Sequence, residues 1–147
     1  PCLFAVCMGL ARVLFAKFGA KLHIRPALMI AAAVCTAGYA LCAFAPQDAA
    51  WLGLAGCGVV GFSVGIMWPG TFSFASAGIP KGGTALFALL ASAGDVGCMA
   101  GPTAVGAIAG AFGGDLHVGL AFGMIVPVVM FVVAALYREK KSIGKTE

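Results

Sequence analysis

The 147 residues are 62% hydrophobic and 10% charged, with a mean hydropathy of +1.07, against the roughly 25% charged residues of a water-soluble domain. That balance excludes a soluble globular fold and points to a membrane-embedded chain. The net charge of +4 does not argue for nucleic acid, because the basic residues fall between apolar runs rather than on one patch.

The first run, residues 1–16, is apolar up to Arg12 and resembles the second half of a span. It opens on Pro1 with no basic segment ahead of it, so it reads as neither a signal peptide nor a native start and predicts a fragment. A basic turn follows, Lys17-Phe18-Gly19-Ala20-Lys21-Leu22-His23-Ile24-Arg25-Pro26, with Gly19 and Pro26 as helix punctuation. The second span is residues 27–45 and ends at the turn Pro46-Gln47-Asp48. The third, residues 51–76, begins on Trp51, where an interfacial aromatic belongs. Gly78, Pro80, Lys81 and Gly82 separate it from the fourth, residues 83–112. The turn Gly113-Gly114-Asp115 leads to a fifth span, residues 118–137, with Pro127 as an expected kink and residues 138–147 as a polar tail. The runs are continuous rather than alternating, which argues against a membrane barrel.

Five spans place Arg12, Lys17, Lys21, Arg25, Lys81, Arg138, Lys140, Lys141 and Lys145 on one side, and Asp48, Asp115 and His117 on the other. By the positive-inside rule the basic side, with the C-terminus, is cytoplasmic. Cys2, Cys7, Cys35, Cys42, Cys57 and Cys98 lie inside apolar runs with no CxxC pair and no histidine at metal-ligand spacing. They read as small apolar residues, with no metal site and no cofactor expected.

The organising residue is Asp95, the one charge in the fourth span. An ionised acid at a helix centre costs about 2.5 to 3.5 kcal/mol on insertion scales, so it faces protein or a water-filled cavity. It either marks a functional site or ties its helix to a neighbour. Gly94, Gly97 and Gly101 share one helical face, predicting close packing, and Pro102 predicts a kink. On the third span, Gly61, Gly65 and Trp68-Pro69-Gly70 repeat the arrangement near the cytoplasmic end, and Trp68 is either an interfacial anchor or a cavity wall for a ring-shaped ligand. Thr71 and Ser92 can serve a polar ligand or bond back to their own helix.

An enzyme is not expected. Ser92-Ala93-Gly94-Asp95 resembles the Gly-x-Gly-Asp element of intramembrane aspartyl proteases, but no second acid lies in another span. His23 and His117 fall at opposite membrane faces and cannot pair.

The basic turn after Gly9-Leu10-Ala11-Arg12, the element Ile66-Met67-Trp68-Pro69-Gly70-Thr71-Phe72-Ser73, the Pro80-Lys81-Gly82-Gly83 turn and the series Gly94-Asp95, Gly97, Gly101-Pro102 occur in a familiar order. In that order the chain resembles the C-terminal half of a major facilitator superfamily transporter, most nearly the fucose-permease-like sugar porters. It departs from the superfamily's cytoplasmic motif, which carries an Asp-Arg pair where this chain has Ala16-Lys17. The resemblance implies an all-α membrane fold, the eighth (partial) to twelfth helices of a twelve-helix carrier working by alternating access. It further implies a small-molecule substrate such as a sugar, proton coupling, and Asp95, Trp68, Ser92 and Thr71 as cavity residues. The expected partners are membrane lipid and an N-terminal half, and the expected place is a bacterial inner or plasma membrane. The competing reading is a membrane sensor or interaction scaffold of the same fold that does not transport.

Overall fold

The computed structural model describes residues 2–19, 23–46, 48–79 and 81–136. Every regular element among them is a helix: α1 (Cys2–Phe18), α2 (Ile24–Phe44), α3 (Ala50–Gly78), α4 (Gly83–Ala111), α5 (Leu116–Gly123) and α6 (Ile125–Leu136). Four stretches are long and apolar enough to cross a bilayer: α2, α3, α4 and the pair α5–α6. The chain is therefore an all-helical, multi-pass membrane protein. The expectations about Lys21, Pro80, Tyr137 and the tail 138–147 lie outside the described residues.

The contacts set the direction of each helix. Leu3, Phe4 and Met8 lie against Gly58, Gly61 and Gly65 in rising order, so α1 runs parallel to α3. Gly38 meets Gly56, and Leu28 meets Gly70, so α2 runs antiparallel to α3. Phe72 stacks on Phe87 while Trp68 reaches Gly94, so α4 is antiparallel to α3 as well. At the last helix pair, His117 bonds to Ala43 and Arg25 to Ala134, which sets α5–α6 antiparallel to α2. Lys17, Arg25 and Lys81 consequently gather at one end of the bundle.

The core lies between α2 and α3. Leu28, Ala31, Ala32, Cys35 and Gly38 are buried at spacings of three and four, the face α2 turns toward α3. Small residues dominate the contact because backbones close directly on one another in a helix bundle within lipid. A Cβ on Gly61 would sit 2.6 Å from the Phe4 carbonyl oxygen, and one on Gly65 2.6 Å from that of Met8, so α1 can approach α3 only where these residues are glycine. Ser63, the largest buried polar side chain, donates to the Val59 carbonyl and leaves nothing unsatisfied in that core. Large apolar side chains instead point outward; Leu89, Met99 and Leu136 are each more than 70% exposed. An apolar exterior around a small-residue interior is the arrangement lipid imposes.

The prolines act differently from one another. α3 continues through Pro69 and α4 through Pro102. The last span is interrupted at Met124, where the Gly123 carbonyl loses its partner because Pro127 has no N–H to give. Met124 N–H donates instead to Ala121 at 3.3 Å, a tightened turn. Gly113 and Gly114, at φ +75° and +86°, make the turn that reverses the chain from α4 into α5.

Candidate functional site

The seam between α3 and α4 is thin. It is held by Trp68 against Gly94, with the indole nitrogen 3.7 Å from the position of a Gly94 Cβ, and by the stacked rings of Phe72 and Phe87 at 5.7 Å. Trp68 and Phe72 also contact each other, with centroids 4.5 Å apart, so three rings form a ladder along the seam. Beside it opens a cleft of about 350 Å³ whose walls include Trp68, Thr71, Phe72, Leu90 and Gly94. That volume lies in the roughly 300 to 1,000 Å³ range of small-molecule sites.

The structure brings only part of the expected set together. Trp68 lines the cleft and is also half-exposed, as are other large apolar side chains of the surface. Thr71 also lines the cleft, but its hydroxyl donates to the Met67 carbonyl at 2.7 Å, within its own helix. Ser92 and Asp95 are exposed on α4 and do not line the cleft. Asp95 makes no hydrogen bond or ion pair among the described residues. It directly follows Gly94, the residue against Trp68, and so lies about 100° further round α4.

The glycine stripe of α4 requires a correction. Among the described residues, a Cβ on Gly97 or Gly101 would have no neighbour within 4 Å, and Pro102 is exposed. α5 reaches α4 only near Val105 and Ala109, where Gly119 packs, and beyond Met124 the chain passes to α2 as α6. The close helix contacts belong instead to Gly56, Gly61 and Gly65 on α3.

Arg12 supplies what the sequence reading missed. It lies in α1, yet its guanidinium carbon is 5.3 Å from the centre of the Trp68 ring, a cation–π contact. The parallel register of α1 and α3 puts it there: Phe4 meets Gly61, Met8 meets Gly65, and one turn later Arg12 meets Trp68. The available signal was its depth. Six residues separate it from Phe18, the end of α1, which places its Cα about 9 Å inside the helix end. A residue used only to count sidedness thus braces Trp68 from α1, although it does not itself line the cleft.

A larger cavity, about 410 Å³, lies between the ends of α2, α3 and α5 and is bordered by Tyr39, Cys42, Cys57 and His117. Two of its polar groups are engaged locally: His117 Nδ1 bonds to the Ala43 carbonyl at 2.9 Å, and the Cys42 thiol to that of Gly53 at 3.5 Å. A third cavity, of about 350 Å³ along α1 and α2, has an apolar wall of residues such as Leu14, Phe18 and Ile30. Of the three cavities, the α3–α4 cleft is the one walled by the residues Trp68 and Phe72, with Arg12 against the Trp68 ring and Asp95 next to Gly94.

No family model matches the chain, and neither curated proteins nor solved structures yield a match.

Proposed function

We propose that the chain is the C-terminal part of a secondary transporter of the major facilitator type, which moves a small organic solute of the sugar class by alternating access with proton coupling. The observation that carries the reading is the α3–α4 cleft: a ring-lined hollow with a cation over its tryptophan and an acid one residue from its edge. Trp68 and Phe72 give the cleft an aromatic wall against which the apolar side of a ring-shaped solute can pack. α4 meets α3 along that aromatic seam and is tied to α5 near Val105 and Ala109, so a tilt of α4 about its α5 end would open or close the cleft.

Asp95 is the one carboxylate inside the described helices. It is twelve residues from the start of α4, about 18 Å along the axis and near the middle of a hydrocarbon core of about 30 Å. An acid at that depth is the natural group to take up and release a proton as water enters and leaves.

The test is uptake by the full-length protein in proteoliposomes, with fucose and a panel of neutral and acidic sugars, with and without an inward proton gradient. Gradient-driven accumulation is expected for wild type, and a loss of at least about tenfold for Asp95→Asn, equivalent to about 1.4 kcal/mol. Unchanged accumulation in folded Asp95→Asn removes the acid from the cycle. No uptake of any panel member refutes the sugar class.

A further inference from the structure

The cavity between the ends of α2, α3 and α5 holds a pair of thiols that the transport reading leaves unused. Of the six cysteines, Cys42 and Cys57 are the two that line it. Both are half-buried, so they meet the cavity without being sealed into the core as Cys35 is. The Cys42 thiol reaches across to α3, where it donates to the Gly53 carbonyl at 3.5 Å and would lie 2.7 Å from a Cβ on Gly56, the residue before Cys57. The backbones close at the same place, with the Cys42 nitrogen 3.2 Å from that Cβ position. A disulfide needs such closeness, since its Cα atoms stand only about 4.4 to 6.8 Å apart. Cys57 lies one turn beyond Gly53, and a helical side chain leans back over the turn before it. It therefore leans toward the glycine that Cys42 bonds. Gly53 also lines the cavity, and a Cβ there would meet nothing within 4 Å, so no side chain stands over it. The two thiols are near enough to interact electrostatically.

We propose that Cys42 and Cys57 are a modification site, a dithiol that closes reversibly to a disulfide and latches α2 to α3 beside the cavity. The inference does not depend on transport. No group of three or more His, Cys, Asp or Glu among the described residues is placed to hold a metal ion, whereas a disulfide is neutral and suits the apolar wall of Phe4, Val60 and Leu120. The oxidant is a small organic disulfide. Cys42 lies two residues from the end of α2 and Cys57 seven residues into α3, about 3 Å and 10 Å along the helix axes, so Cys42 is nearer the surface and reacts first. Its thiol gives a proton to water, the thiolate attacks one sulfur of the oxidant, and the other sulfur leaves as a thiolate. Cys57, deprotonated in turn, attacks the Cys42 sulfur of the mixed disulfide, forming the bond between the two cysteines and expelling the second small thiolate. Two protein thiols are oxidised, one small disulfide is reduced to two thiols, and the two protons end on those thiols. The pair lies at the end of the bundle shared by Ala43 and His117, away from Lys17 and Arg25. The positive-inside rule assigns that end to the outer side, where oxidising conditions let disulfides persist.

The test treats the reduced full-length protein in detergent with dipyridyl disulfide and maps the products by mass spectrometry of chymotryptic peptides, Phe44 and Trp51 being cleavage points between the two cysteines. The expected product is a peptide linked through Cys42 and Cys57, at least tenfold more abundant than any other cysteine pair. It should come from protein that runs as a monomer on non-reducing electrophoresis, and disappear with dithiothreitol. In Cys57→Ser the pyridyl adduct is expected to remain on Cys42, because no second thiol resolves it. A pyridyl adduct that persists on Cys42 in the wild type, a link to Cys7 or between chains in comparable yield, or no link while the exposed Cys2 and Cys98 react, overturns the proposal. If Cys57→Ser does not fold, the wild-type peptide map decides alone.

Discussion

Arg25 and His117 perform the same task at opposite ends of the bundle, each bonding the last carbonyls of a neighbouring helix. Arg25 donates to Ala134 at 3.0 Å and Ala135 at 2.5 Å, at the end of α6, and the His117 imidazole donates to Ala43 at 2.9 Å, at the end of α2. Terminal carbonyls have no partner within their own helix, and a cation there also complements the helix dipole. Arg25→Ala is therefore expected to lower stability by about 1.5 to 3 kcal/mol, with Arg25→Lys recovering part of it, measured by denaturant titration in detergent micelles. None of these pairings was legible in the sequence. Arg25 reads as one more basic residue of a turn, and its partners are backbone atoms 109 and 110 residues away. Arg12 was hidden for the same reason: the charge was visible, but its aromatic partner depends on the register of two helices. The back-bonding of Thr71 to Met67 needed only its own helix, and it is one of the two uses the sequence allowed.

Among elements, the apolar runs were readable because lipid requires continuous hydrophobic stretches, and the interruption at Met124 follows from the lone Pro127 downstream. Which glycines pack was not readable. The α3 and α4 stripes have similar spacing, and the difference arises from where the final span travels after Met124. The consequence is measurable. Gly61→Leu or Gly65→Leu drives a side chain into the backbone of α1 and is expected to destabilise by about 1 to 3 kcal/mol or more, whereas Gly97→Ala in this chain should stay within about 0.5 kcal/mol of wild type. A large effect of Gly97→Ala in the isolated chain would show α4 packed where the structure leaves it open. If the proposed N-terminal half exists, the same substitution in a protein that contains it reports whether that half covers this stripe, since a covered glycine would no longer tolerate a methyl group.

For the molecule as a whole, the up-and-down course of the helices gathers Lys17, Arg25 and Lys81 at one end and places Asp48 and Asp115 at the other. The positive-inside rule turns that asymmetry into the expectation that the Lys81 end is cytoplasmic. In right-side-out vesicles from a background lacking reactive native thiols, a membrane-impermeant maleimide is expected to label Asp48→Cys and spare Lys81→Cys; the reverse pattern would invert the orientation.

The Arg25 clamp also bears on how the protein is made. A ribosome delivers α2 long before α6, so the two ends that Arg25 joins coexist only after the last helix has entered the bilayer. Until then the guanidinium at the start of α2 is held by water and lipid headgroups at the membrane surface. A nascent chain stalled before Ala134 cannot close this seal. An unfinished product thus differs from the completed one at a charged, surface-level position, within reach of the proteases that survey membrane-protein biogenesis.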